Sequence, residues 1–206
     1  MPDPAALSPS ATATTALAGV VHGGRHGAAS GMPGVKIAEM HGIGLARITA
    51  RKGMRAALIE AAQAAYAVEL PTTPRRVETR DISFMWDGPD QWLAQTPLTP
   101  ATSMETLLAP ELVKLAAIVD QSHACTFLRV SGPRARDALA KGLAIDLHPR
   151  AFAPLHVART SIAHIGVQIC KLDVLPTYEF LIPRSYSHSF WHWLQSSAAE
   201  YGLEVA

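Results

Sequence analysis

One pattern occurs twice in this chain, and it limits the folds available. Strand-like Ile48 to Ala50 leads through Gly53 into an Ala-rich stretch from Met54, then into Val68-Glu69-Leu70-Pro71. Leu128 to Val130 leads in the same way through Gly132 into a helical stretch from Pro133, then into Ile145-Asp146-Leu147-His148-Pro149. Each copy is followed by another strand-like run and a Trp-Leu pair: Phe84-Met85-Trp86 before Trp92-Leu93, and Tyr178 to Ile182 before Trp193-Leu194. Helices alternating with paired strands in short units predict a two-layer α+β architecture with mostly antiparallel sheets. The duplication predicts two ferredoxin-like β-α-β halves side by side. With no cluster of catalytic side chains in either copy, the chain reads as a scaffold or partner-binding subunit.

Periodicity places the elements. Val35 to Met40 and Leu45 to Thr49 alternate apolar and polar, the mark of half-buried strands. Met54 to Tyr66 is read as a helix with Met54, Leu58, Ala61 and Ala65 on one face. Val77 to Trp86 reads as a strand, Asp87-Gly88-Pro89-Asp90 as a tight turn, and Gln91 to Gln95 as a short strand or helical turn. After a connector between Pro97 and Pro100, Ser103 to Ala109 is read as a short helix capped by Ser103 or Thr102. Pro110 restarts or kinks it through Lys114. Ala116 to Val119 and Ala124 to Val130 are strands joined through Asp120-Gln121-Ser122-His123. Ser131 is the predicted N-cap of the second helix, which ends near Lys141-Gly142. Val157 to Asp173 is one long strand or a hairpin, and Tyr178 to Pro183 the last strand. A final helix capped by Ser185 or Ser187 runs through Glu200, with Phe190, Trp193, Leu194, Ala198 and Tyr201 as its apolar stripe.

Residues 1–34, rich in Ala, Thr, Ser, Gly and Pro, read as a flexible tail, and 35–206 as one domain of two α+β halves, about 35–100 and 101–206. No basic n-region or apolar h-region marks a signal peptide, and no stretch reaches the roughly eighteen apolar residues of a membrane span. A net charge of +1 in 206 residues argues against a nucleic-acid groove and favours a place inside an assembly. The two cysteines, Cys125 and Cys170, lie in apolar strand-like runs and fit reduced core thiols in a cytoplasmic protein.

Few side chains invite chemistry. His188 and His192 have a zinc-ligand spacing but lack the glutamate of a zincin and a third ligand. His22 and His26 share the spacing in the Gly-rich tail. Asp120, Ser122 and His123 are triad residue types, yet a triad needs spatial convergence, and Asp and Ser in a loop more often cap backbone amides. Gly42-Ile43-Gly44 and Gly132-Pro133 match no phosphate-cradling loop. Arg47, Arg51, Lys52 and Arg55 read as a solvated face or an interface rim. Trp92 and Trp193 are expected core anchors, whereas Trp86 and Trp191, with Arg184, are the candidate partner surface, since tryptophan is enriched at binding hot spots.

A combination of segments carries a family resemblance. Val119-Asp120-Gln121-Ser122-His123, Leu128-Arg129-Val130-Ser131-Gly132-Pro133-Arg134-Ala135-Arg136, Gly142 to Pro149, Phe152 and Arg184 to Leu194 together resemble the gamma subunits of heterotetrameric sarcosine oxidases. Ala50-Arg51-Lys52-Gly53, Glu69-Leu70-Pro71 and Gly88-Pro89-Asp90-Gln91-Trp92-Leu93 agree with it. The likeness runs from about Val35 to the C-terminus. Asp120 to Leu139 also resembles the start of the folate-binding fold of aminomethyltransferases, which implies an aminomethyltransferase N-terminal-like fold here. In that wider group an acidic residue after the helix lies by the folate, and Asp146 holds the matching place. The Lys-Gly-x-aromatic-x-Gly segment of that group has no counterpart, so Asp146 is read as a turn former before Pro149.

The resemblance implies a complex that oxidatively demethylates sarcosine to glycine, with oxygen reduced to hydrogen peroxide and tetrahydrofolate accepting the one-carbon unit. It assigns FAD, FMN, NAD and zinc to the alpha, beta and delta subunits, and to this chain no cofactor, no metal and no catalytic residue. The competing readings are a stand-alone tetrahydrofolate-binding aminomethyltransferase-like protein and a small nucleic-acid-binding module of duplicated ferredoxin-like type.

Overall fold

Two sheets packed face to face carry the two copies of the repeat in a computed structural model that describes residues 15–28, 31–97, 103–108 and 110–206. The first strands are β1 (Gly24–His26), β2 (Val35–Met40) and β3 (Ile43–Ala50), followed by helix α1 (Arg55–Tyr66). Next come β4 (Arg76–Glu78), β5 (Ser83–Gly88), β6 (Gln91–Pro97), α2 (Met104–Leu107), α3 (Pro110–Leu115) and β7 (Ala116–Asp120). The second copy runs β8 (Cys125–Ser131), α4 (Ala135–Ala140), β9 (Val157–Ile162), β10 (Ile165–Lys171), β11 (Tyr178–Pro183), α5 (Ser187–Ala198) and β12 (Leu203–Val205).

The five-stranded sheet has the order β4-β5-β6-β3-β7, and the seven-stranded sheet β9-β10-β11-β8-β2-β12-β1. Strand for strand the orders correspond, β4 with β9 through β7 with β12, once β2 is seen as an insertion between β8 and β12. Among the described strands every pairing is antiparallel except β12 on β2. The α+β class, the ferredoxin-like duplication and the mostly antiparallel pairing are therefore all present.

Alternation along the strands builds four layers rather than two. On β3, Ala46 and Ile48 face α1 to α3 with Phe84, Trp92 and Leu58, while Leu45 faces the opposite sheet. On β8, Leu128 and Val130 face α4 and α5 with Phe180, Phe190 and Trp191, while Phe127 faces Leu45. The middle layer is the smallest cluster: Leu45, Met85, Leu93, Phe127, Val157, Cys170 and Leu181. Central strands such as β5, β10 and β11 thus bury both faces, because period-two side chains serve a helix on one side and a sheet on the other.

Local departures from the sequence reading have local causes. Val77 to Trp86 is a hairpin, β4 and β5, because Thr79 turns the chain: its amide donates to the Ile82 carbonyl at 2.8 Å and its Oγ1 accepts from the Ile82 amide at 3.3 Å. Met54 is the N-cap of α1 and is 41% exposed; the buried face holds Leu58 and Ala62, with Ala61 half-buried against the same cluster and Ala65 exposed. Ser131 does not cap α4, since it stays in β8 paired with Lys36 and Arg134 takes the N-cap position. Between them Gly132 has φ +112, and a Cβ there would stand 2.5 Å from the Gly34 carbonyl oxygen. The segment from Val157 is the hairpin alternative, β9 and β10, turning through Ala163 and His164 with φ 48 and 70. Ser103 caps α2 as read, accepting from the Thr106 amide at 3.4 Å. Thr102, Ala109 and most of the Pro97 to Pro100 connector lie outside the described residues.

Part of the stretch read as a tail is built into the fold. Leu17 is 1% exposed in the main core, and β1 pairs with β12, a terminal strand that its three-residue length hid from periodicity.

Candidate functional site

The residues that the sequence marks for chemistry are spread over separate places. On α5, His188 Nε2 meets the Ala16 carbonyl oxygen at 2.8 Å, and His192 is exposed one turn on. His26 Nε2 meets the His22 carbonyl oxygen at 2.9 Å. Among the described residues no group of three or more His, Cys, Asp or Glu is placed to hold a metal ion. Asp120 Oδ1 accepts from the Ser122 amide at 2.8 Å, Oδ2 accepts from the Met104 amide at 3.1 Å, and Ser122 Oγ accepts from the Leu45 amide at 3.0 Å. Burial raises the Asp120 carboxyl, but these hydrogen bonds outweigh it and hold the group below its usual value. This loop caps backbone amides, as read.

Asp146 Oδ1 accepts from the His148 amide at 2.7 Å, an Asx turn at the mouth of an open depression of about 610 Å³ that Arg75 and His156 also line. Cys125 and Cys170 are free thiols, and burial pushes Cys170 up to about 12.

Trp92 is fully buried, its Nε1 donating to the Pro71 carbonyl at 2.8 Å. Trp193 is half-buried over Gly142, where a Cβ would lie 2.8 Å from its ring. Trp191 corrects the expectation of a partner-facing side chain: it is 2% exposed and packs in the chain's own core. A buried stripe wide enough for Phe190, Leu194 and Ala198 also takes the adjacent position 191 and leaves 193 at its margin. Trp86 is half-buried and Arg184 exposed.

What periodicity missed lies between the sheets, where the apolar layer is flanked by two clefts. In one, of about 600 Å³, Asp87 of β5 has a side chain only 1% exposed. Arg47 of β3 places Nη2 3.1 Å from its Oδ2, and Arg159 of β9 places Nη1 3.3 Å from its Oδ1. Burial pushes the Asp87 carboxyl up, against the pull of Arg159 and Arg47. In the other, of about 470 Å³, Glu179 of β11 is 3% exposed and meets Arg76 of β4 at 3.1 Å and Arg129 of β8 at 3.9 Å. Each carboxylate thus meets one arginine from its own sheet and one from the opposite sheet, and the arginines come from corresponding strands. Charges inside apolar strand runs (Arg47, Asp87, Arg129, Glu179) were the available signal. Arg47 leaves the basic run in which it was read, while Arg51, Lys52 and Arg55 stay exposed.

Comparison with known proteins decides the family. Residues 52–200 match the sarcosine oxidase, gamma subunit family. The chain belongs to that family. The gamma subunit of sarcosine oxidase from Arthrobacter sp. is 31% identical over 157 residues, 72% of this chain and 75% of that protein. The one from Corynebacterium sp. (strain P-1) is 32% identical over 123 residues, and the match spans 59% of each chain. Among solved structures, heterotetrameric sarcosine oxidase from Corynebacterium sp. U-96, in complex with pyrrole 2-carboxylate, superposes with a TM-score of 0.71 at 26% identity, covering 84% of this chain and 87% of that one. Aminomethyltransferase T of the glycine cleavage system from Bartonella henselae shares the fold, with a TM-score of 0.58 at 12% identity over 84% of this chain and 47% of its own. The gamma-family chain therefore has the aminomethyltransferase-like fold that its sequence resembles. No helix among its described residues is long and apolar enough to cross a membrane.

Proposed function

We propose that this chain is the non-catalytic gamma subunit of a heterotetrameric sarcosine oxidase. In this reading the assembly oxidatively demethylates sarcosine to glycine in the cytoplasm, passes the one-carbon unit to tetrahydrofolate and reduces oxygen to hydrogen peroxide. Alpha, beta and delta subunits are its partners, and FAD, FMN, NAD and zinc reside on them. Family membership over residues 52–200 carries the proposal. The match in shape to a chain of a heterotetrameric enzyme supports it.

The partner-facing surface includes Trp86 and Arg184; Trp191, inside the core, has no part in it. Apolar side chains left in water support docking surfaces elsewhere: Val174 and Leu175, 83% and 63% exposed in the loop between β10 and β11, and Leu107, Val113 and Val119 around α2, α3 and β7. Exposed apolar groups of this kind mark interaction sites when they cluster.

Affinity purification of the tagged chain from its native cell, with mass spectrometry of what co-elutes, tests the proposal. The eluate contains larger flavin-bearing partners and produces hydrogen peroxide when sarcosine is added. A chain recovered without partners, from cells that oxidise sarcosine, overturns it.

A further inference from the structure

The two inter-sheet clefts share a plan but differ in charge balance. Around Glu179, three arginines (Arg76, Arg80, Arg129) face three carboxylates (Glu78, Asp81, Glu179), with His41 at the margin. Around Asp87, Arg47 and Arg159 face that carboxylate alone. One positive charge is left over there, in a cleft whose volume of about 600 Å³ falls within the roughly 300–1,000 Å³ usual for small-molecule sites.

The donors are present as well as the charge. A guanidinium has five N–H groups, and Asp87 occupies few of them. Arg159 keeps 56% of its side chain in solvent and Arg47 keeps 35%. Arg47 Nε and Asp87 Oδ2, on neighbouring side chains, are buried and lack hydrogen-bond partners. Gln168, 6% exposed, stands beside them with its Nε2 donating to the Trp86 carbonyl at 3.4 Å. The floor is apolar, formed by Leu45, Leu93 and Leu181. On the β10 side Gly166 lines the cleft, and a Cβ there would meet nothing within 4 Å.

We propose that this cleft binds a small organic monocarboxylate, its carboxylate on Arg159 and Arg47 and its apolar body on Leu45, Leu93 and Leu181. A planar fork of N–H donors fits a carboxylate in two-point contact. A single surplus charge matches a monoanion, and the leucines add affinity only for a ligand with an apolar part. Inorganic phosphate satisfies the arginines and leaves the floor wet. The inference rests on this cleft alone and stands apart from the identity of the partner subunits.

Fluorine NMR of 4-fluorophenylacetate with the full-length chain tests it. The ligand signal broadens saturably, with a dissociation constant below about 1 mM, and unlabelled phenylacetate reverses the broadening. The neutral 2-(4-fluorophenyl)ethanol and inorganic phosphate bind at least about tenfold more weakly. Arg159→Gln, at an exposed side chain, weakens binding about tenfold or more, and so does Gly166→Leu, which fills the cleft and leaves both arginines in place. Arg129→Gln in the opposite cleft changes nothing. Circular dichroism confirms the fold of each variant, and if one of the two cleft variants unfolds, the other decides. Absence of saturable binding, equal binding of the alcohol or of phosphate, or unchanged affinity in the folded cleft variants overturns the proposal.

Discussion

Asp120 and Asp87 are both aspartates on strands of the five-stranded sheet, and their surroundings drive them in opposite directions. For Asp120, burial is outweighed by hydrogen bonds from Ser122 and Met104, and the carboxyl sits below its usual value. Its contribution is therefore fully present above the ordinary aspartate range and is lost as pH falls through the lowered value. Asp120→Ala is expected to cost about 1–3 kcal/mol at neutral pH, because two backbone amides lose their acceptor. Urea titrations at neutral and strongly acid pH check this, and the penalty shrinks in acid. For Asp87 burial dominates, and the folded protein holds the proton to a higher pH than the unfolded chain. Stability conferred through this group falls as pH rises from the ordinary aspartate value through the raised one. Asp87→Asn removes that slope, so its melting temperature rises relative to the wild type across the same interval. The loop role of Asp120 was legible from Asp and Ser spaced to cap amides. The burial of Asp87 was not, because a Gly-Pro turn follows it directly and the opposing sheet comes from residues far along the chain.

At the scale of elements, the glycines that end the first strand of each copy are alike in sequence and unlike in surroundings. Gly53 has φ +77 with nothing near a prospective Cβ, whereas Gly132 has φ +112 and the Gly34 carbonyl oxygen at 2.5 Å. Gly53→Ala meets only left-handed backbone strain of about 1–2 kcal/mol. Gly132→Ala meets strain and a backbone clash together and costs more, about 3 kcal/mol or beyond. Denaturant midpoints of the two variants make the comparison direct. Leu17 marks a second contrast, since it belongs to a stretch whose composition reads as a tail yet is 1% exposed in the main core. Leu17→Ala is expected to cost about 2–5 kcal/mol, as for other buried leucines; a loss under half of that places the N-terminal segment outside the cooperative fold. Strands and helices with a clear period were readable because the period is local. The β4–β5 turn was hidden because Thr79 to Ile82 contains neither Gly nor Pro, and β1 and β12 by having only three residues each.

The whole molecule depends on pairings that no window of sequence contains. The duplication was legible because each copy repeats strand, glycine, helix and turn in the same order. The membership of the sheets was not. β2, from the first half, inserts between β8 and β12, and β7, from the second half, completes the sheet of the first half. The two halves read from the sequence are thus tied by strand exchange and by a shared middle layer, with a buried carboxylate flanking that layer at each cleft. Such a body offers shape, edges and exposed apolar loops to partners, which agrees with a subunit that supports chemistry carried elsewhere. The most direct measurement is native mass spectrometry, with flavin absorbance, of this chain expressed alone and expressed with its partner subunits. The expected result is a heterotetramer containing one copy of this chain, with all flavin on the other subunits and none on the chain by itself. A lone chain that binds flavin and oxidises sarcosine unaided contradicts it.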